Sequence, residues 1–195
     1  SAKRIKEIKK NIQLVRETIG KENEMAIDFH GRVHKNMAKR LMKELEEFSP
    51  MFYEEVLIPE FSHYYSQLNQ ITSVPLASGE RLTGREAFKE IIYHSSVGIL
   101  QPDISHVGGI MEAKKIAASA EASGLMMALH CPLGPIAFSA ALQFDFCTPN
   151  ALIQETSMGI HYNTEIIDLL HYVLNKDDFK VKNGFIKRND KPGLG

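Results

Sequence analysis

Apolar and polar residues follow two rhythms along this chain, and the rhythms take turns. Ile5, Ile8, Ile12, Val15 and Ile19 recur at helical spacing and Gly20 follows them, so residues 1–20 are predicted to form an amphipathic helix. Residues 25–29 are a short apolar run and read as a strand. Met37, Leu41 and Leu45 then return to helical spacing within 33–48, up to the break at Ser49-Pro50. The same exchange recurs to the end. Strands are predicted at 51–53, 74–77, 97–100, 125–129 and 151–154, and helices at 61–72, 83–94, 110–123, 135–146 and 164–174. Thr83 and Glu86 have the spacing of a capping box, and Pro135 suits a first helical turn. Residues 179–195 are polar and Gly-containing and read as a strand pair or turn.

Strands that are near-continuous apolar runs, separated by helices, predict an α/β fold with a parallel sheet covered by helices. Each predicted strand also ends in an ionisable residue. Asp28, Glu54, Glu80, Asp103, His130 and Glu155 are separated by 26, 26, 23, 27 and 25 residues. Polar residues at every strand end, at so even a step, predict a (β/α) barrel in which those ends ring one mouth. An open doubly wound sheet would gather only the residues at its switch point, and no Gly-rich phosphate fingerprint follows any strand. Six strands fall short of eight, and a full barrel takes about 250 residues. The 195 residues are therefore expected to form one partial barrel domain of a larger protein.

Composition narrows the classes. With 23 Lys and Arg against 24 Asp and Glu, the formal charge of −1 argues against a dedicated nucleic-acid binder. No apolar run reaches the ~20 residues of a membrane helix, so no membrane association is expected. Cys131 and Cys147 lack the spacing of a disulfide framework, which suits a reducing cytoplasm.

The chemistry is concentrated at the mouth. Converging Asp28, Glu54 and Glu80 repel one another; two such charges 4 Å apart cost about 4 kcal/mol at an effective dielectric near 20. Protons or a cation must compensate, and an all-oxygen set suits Mg2+. Glu54 and Glu55 leave a strand on opposite faces, and the 26-residue step favours Glu54. Asp28 and His30 are two apart and share a face of a strand. His130 ends a strand across the barrel, where Asp103 is placed to accept from its ring, fixing the tautomer and raising its basicity. Two imidazoles on opposite sides of a cation suit an acid–base pair. His34, His63, His94, His106, His161 and His171 are read as ordinary hydrogen-bonded or exposed histidines. Cys131 adjoins His130 but points away from it on a strand, so a Cys/His nucleophile is not expected. Glu155 is either a partner for a substrate oxygen or a loop acid.

Five long segments carry a resemblance: 27–33 (Ile-Asp-Phe-His-Gly-Arg-Val), 77–81 (Ala-Ser-Gly-Glu-Arg), 99–106 (Ile-Leu-Gln-Pro-Asp-Ile-Ser-His), 130–137 (His-Cys-Pro-Leu-Gly-Pro-Ile-Ala) and 154–163 (Gln-Glu-Thr-Ser-Met-Gly-Ile-His-Tyr-Asn). In these the chain resembles the mandelate racemase group of the enolase superfamily. The resemblance implies a modified (β/α) barrel, with Mg2+ held by Asp28, Glu54 and Glu80. It implies His130 as the base that removes the proton α to a sugar-acid carboxylate, with Asp103 as its partner. His30 would be the acid that protonates the departing 3-hydroxyl, and Glu155 would stabilise the enediolate-like intermediate. The implied activity is a Mg2+-dependent sugar-acid dehydratase, with galactonate the favoured substrate and a 2-keto-3-deoxy sugar acid the product. A homo-oligomer is expected. Val56 stands where the family usually has proline, and the family's N-terminal capping domain and first barrel strands have no counterpart in 1–195. A racemase or epimerase of the same superfamily, and a non-catalytic chain acting as an assembly partner, are the competing readings.

Overall fold

The structure is a computed structural model that describes residues 1–94, 96–158 and 169–194. Helix α1 (Ala2–Ile19) opens the chain; Ser1 caps its start and Gly20, at φ 78°, ends it. Then β1 (Ile27–Asp28), α2 (Lys35–Leu45), β2 (Tyr53–Glu54), α3 (Tyr65–Asn69), β3 (Leu76–Ser78), α4 (Gly84–Tyr93), β4 (Ile99–Leu100), α5 (Ile104–Val107), α6 (Ile110–Ala122), β5 (Met126–Met127) and α7 (Pro135–Asp145) follow in turn. The five strands pair in chain order and all pairs are parallel. This is the strand–helix repeat of a (β/α) barrel wall.

Alternation along the strands gives the sheet two unlike faces. Ile27, Tyr53, Leu76, Leu100 and Met127 pack into the main core with the helices. Phe52, Ala77, Ile99 and Ala128 form a smaller cluster on the other face. The Tyr53 hydroxyl donates to the Met42 carbonyl (2.8 Å), tying β2 to α2 inside the main core. Asp28, Glu54 and Gln101 extend the inner face at the carboxyl ends of their strands.

Several expectations change. The sixth strand is a single bridge, from Ala151 to Met127. Among the described residues no further strand pairs with that segment, which removes the second ladder that would extend it. The 61–72 helix is a 3-10 segment (Pro59–Tyr64) running into the short α3, because Phe61 leaves helical geometry. The capping box does not form: Thr83 makes no cap hydrogen bond, and Gly84 enters α4 at φ 68°. Val15 is 44% exposed, so the buried stripe of α1 is narrower than its spacing suggested. Helix α5 was not foreseen; Asp103 caps it, accepting from Ser105 N at 2.7 Å. The expected 164–174 helix falls largely outside the described residues, with a 3-10 turn at Leu169–Tyr172. Lys182 and Phe185 pair across a tight turn, as the polar tail suggested.

Gly79 has φ 143°, and a Cβ there would lie 2.8 Å from the Phe88 ring and 3.0 Å from the Gln101 backbone. Gly79→Ala is expected to cost about 3 kcal/mol through backbone strain and overpacking, seen as a lowered Tm. Asp145 offers a pH test. Burial pushes its carboxyl up to about 7 from an ordinary 3.8. A raised folded value means that the protonated form's stabilisation is complete below the ordinary value and is lost as pH rises through about 7. Asp145→Asn should therefore raise Tm at pH 8 by several degrees and give no gain at pH 4.

Candidate active site

Parallel pairing in register sets Asp28 beside Glu54. Glu54 pairs with Ala77, however, and Glu80 lies three residues further on. The equal 26-residue steps therefore do not place Glu80; the turn at Gly79 does. Glu54 faces inward, as the spacing favoured, and lines a cavity of about 260 Å3 with Gln101, Ala128, Gln154 and Glu155. Burial pushes its carboxyl up to about 7; the Gln101 side chain opposes the rise, and the charges of Asp28, Glu155 and Glu80 add to it.

Glu55 goes the other way. It is 1% exposed and sits at φ 41°. Its Oε1 accepts from Ser78 Oγ (2.6 Å) and Gly79 N (2.9 Å). Burial raises its pKa, against those two hydrogen bonds. Glu55 thus braces the turn that presents Glu80.

His30 does not continue β1 with its ring on the face of Asp28. Its backbone is left-handed (φ 52°), because Asp28 Oδ1 accepts from His30 N (2.6 Å) and closes a turn. The turn brings the ring back all the same: His30 Nδ1 lies 3.2 Å from Asp28 Oδ2 and 3.6 Å from Glu80 Oε1. From the far strand, His130 Nε2 lies 3.8 Å from Glu80 Oε2. Two imidazoles, carried by β1 and β5, flank the two oxygens of one buried carboxylate.

His130 and Asp103 form a hydrogen-bonded pair. His130 Nδ1 and Asp103 Oδ2 are 2.8 Å apart. Burial raises the Asp103 pKa, but hydrogen bonds from His130 and Ser105 N, with the charges of His106 and His130, bring it below its ordinary value. Burial likewise lowers the His130 pKa, and the Asp103 hydrogen bond with the charges of Glu155 and Glu80 carries it above the ordinary value. An ionised Asp103 makes Nδ1 the protonated nitrogen and leaves Nε2 free to accept. Glu155 Oε2 accepts from Cys131 N (2.8 Å), which anchors it beside this pair.

Three residues that pattern reading passed over belong to the site. Arg81 Nε donates to Glu80 Oε1 (3.2 Å) and Nη2 donates to the His30 carbonyl (2.9 Å). Gln101 is the inner-face residue two beyond Ile99, a signal present in the alternation of β4. His106, expected to be an ordinary histidine, has Nδ1 3.3 Å from the Glu80 carbonyl oxygen and 3.8 Å from Asp103 Oδ2. His161 lies outside the described residues.

Among the described residues no three His, Cys, Asp or Glu side chains stand together as a ready-made ligand set. The donor chemistry nevertheless fits a hard divalent cation: Asp28, Glu54 and Glu80 are oxygen donors, and the charges of Asp28 and Glu80 raise the pKa of Glu54. No described helix is long and apolar enough to cross a membrane.

A parallel (β/α) wall with acids and a carboxylate-backed imidazole at its carboxyl ends defines an enolase-type barrel domain. Residues 2–195 match the family described as enolase C-terminal domain-like, and the chain belongs to that family. It is 52% identical over 181 residues to D-galactonate dehydratase of Xanthomonas euvesicatoria, covering 93% of this chain and 47% of that protein. It is 50% identical over 184 residues to D-galactonate dehydratase of Variovorax paradoxus, covering 94% and 48%. The chain thus spans about half the length of the curated relatives it matches. An enolase from Pantoea ananatis, solved with bound D-gluconate and Mg, superposes with a TM-score of 0.84 at 32% identity, covering 98% of this chain and 45% of that one. A member of the enolase superfamily from Salmonella Typhimurium superposes with a TM-score of 0.77 at 26% identity, covering 80% and 40%.

Cys131 is buried, and burial pushes its thiol up to about 11. Cys147 is exposed. One fast-reacting thiol per chain is expected with a disulfide reagent at pH 8, and Cys147→Ser should abolish it.

Proposed function

We propose that the protein is a Mg2+-dependent sugar-acid dehydratase, with D-galactonate its substrate and a 2-keto-3-deoxy sugar acid its product. The observation that carries this reading is the pair of imidazoles flanking Glu80, one of them backed by Asp103. The D-galactonate dehydratase relatives supply the substrate, and the gluconate-and-Mg neighbour supports the ligand class.

Asp28, Glu54 and Glu80 would hold the cation. When bound there, Mg2+ supplies positive charge against a substrate carboxylate as negative charge builds on its oxygens, the general logic of enolase-superfamily sites. His130 Nε2 takes the proton α to that carboxylate, because Asp103 keeps the proton of the ring on Nδ1 and stabilises the imidazolium that forms. His30 gives a proton to the 3-hydroxyl as it leaves from the other side. Glu155, fixed by Cys131 N, is the residue placed to stabilise the enediolate-like intermediate. Loss of water then leaves an enol that tautomerises to the 2-keto acid.

The reading takes residues 1–195 as the barrel-type domain carrying this machinery, with the capping portion outside it, in a homo-oligomer. Free thiols at both cysteines are in keeping with a cytoplasmic protein.

The test is a screen of aldonates with Mg2+, reading keto-acid formation by the intact protein. Turnover of galactonate is expected. Turnover of another aldonate in its place overturns the substrate, and α-proton exchange without loss of water would point to a racemase or epimerase. His30→Asn should leave Mg2+ binding within a few fold and cut dehydration by at least about 100-fold, while α-proton exchange through His130 survives. Loss of Mg2+ binding in that variant overturns the division of roles between Asp28 and His30.

A further inference from the structure

Arg81 is unusual in touching three strand ends at once. Its Nε lies 3.2 Å from Glu80 Oε1 and 3.9 Å from Glu55 Oε2, and its Nη2 donates to the His30 carbonyl at 2.9 Å. A lysine ammonium would not hold this geometry, since a guanidinium spans several acceptors in a fixed plane where an ammonium is a point charge.

Two neighbours are shaped around it. A Cβ on Gly31 would stand 2.8 Å from Arg81 Nη1 and 2.7 Å from Ile58, so the guanidinium lies across the left-handed turn only because residue 31 has no side chain. The Glu55 Oε2 atom is buried with no hydrogen-bond partner and faces the guanidinium. It is a buried carboxylate oxygen placed opposite Arg81. An unpaired buried carboxylate oxygen is costly, and a nearby cation is what offsets it.

We propose that Arg81 is a positioning residue that couples the general-acid turn at His30 to the Glu80 carboxylate, so that the acid and a cation-holding oxygen move as one unit. The coupling rests on the dehydratase reading for its consequence in turnover, but its geometry is independent of the substrate. The guanidinium clamps the carbonyl of the residue whose ring must protonate the leaving hydroxyl. At the same time it occupies one side of Glu80 Oε1, which fixes how that carboxylate can present its remaining lone pairs.

The experiment uses the intact protein with Arg81→Ala and Arg81→Lys. Mg2+ affinity is measured by calorimetry, galactonate dehydration and α-proton exchange are followed in deuterated water, and the His30 imidazole is followed by NMR. The calorimetry sets the Mg2+ concentration that saturates each variant. In Arg81→Ala at saturating Mg2+ the ratio of dehydration to exchange is expected to fall at least fivefold, because His130 and Asp103 do not touch Arg81. Arg81→Lys keeps the charge and cannot span both acceptors; its ratio should fall by the same factor. A merely structural role would lower both reactions together. A ratio changed by less than fivefold in Arg81→Ala overturns the proposal, and Arg81→Lys decides in the same way if the alanine variant does not fold. If the unmodified protein dehydrates no aldonate, the functional reading fails, and the coupling is judged on NMR alone. Movement of the His30 imidazole resonances in Arg81→Lys, with those of His130 in place, then supports it, and unmoved His30 resonances overturn it.

Discussion

Like charge gathers at one edge of this parallel sheet, and the groups around that edge are arranged to answer it. The pairing of β1 with β2 sets Asp28 beside Glu54, and the turn after β3 adds Glu80. Glu54 registers the crowding directly, since burial and three neighbouring carboxylates hold its proton up to about neutral pH. Cationic and proton-donating groups are drawn in around this edge. The His30 ring sits against Asp28 and Glu80, His130 approaches Glu80 from the far side, and Arg81 lies alongside. The same crowding of negative charge that destabilises the edge makes it favourable to a positive group.

The helices contribute less to chemistry than to keeping this edge in place. The main core lies between the sheet and the helices, while the inner face carries only a small apolar cluster beneath the acids. Glu54, Gln101 and Glu155 stand over that cluster. An apolar floor under a polar rim keeps the carboxylates from spreading into water and holds them where their repulsion is felt.

What the amino-acid pattern disclosed follows from how local each feature is. Alternation along a strand is local, so the division between Glu54 facing in and Glu55 facing away was legible. The Asp103–His130 pair was legible too, because both residues lie three beyond paired positions of adjacent strands. Glu80 was found by a spacing that the register does not obey. Its position depends on a φ of 143° at Gly79, which spacing does not encode. The same holds at His30, where an Asp28 side chain turns the backbone left-handed and replaces the strand geometry that would have aimed the ring. Arg81 and His106 act through tertiary contacts with residues 51 and 26 positions away in sequence, respectively His30 and Glu80, which no periodicity reports, whereas the inward side of Gln101 was marked by the alternation of β4.

Asp103 has both of its oxygens engaged, one on the first turn of α5 and one on the imidazole of His130. Its side chain cannot swing away from the ring without also uncapping that helix. Helix α5 is only four residues long and has few hydrogen bonds of its own. The direction of the imidazole is therefore latched to whether a single helical turn is wound. Any event that unwinds that turn, from a neighbouring loop or from outside the chain, would release the ring as well, so that local folding and the orientation of the His130 ring are linked.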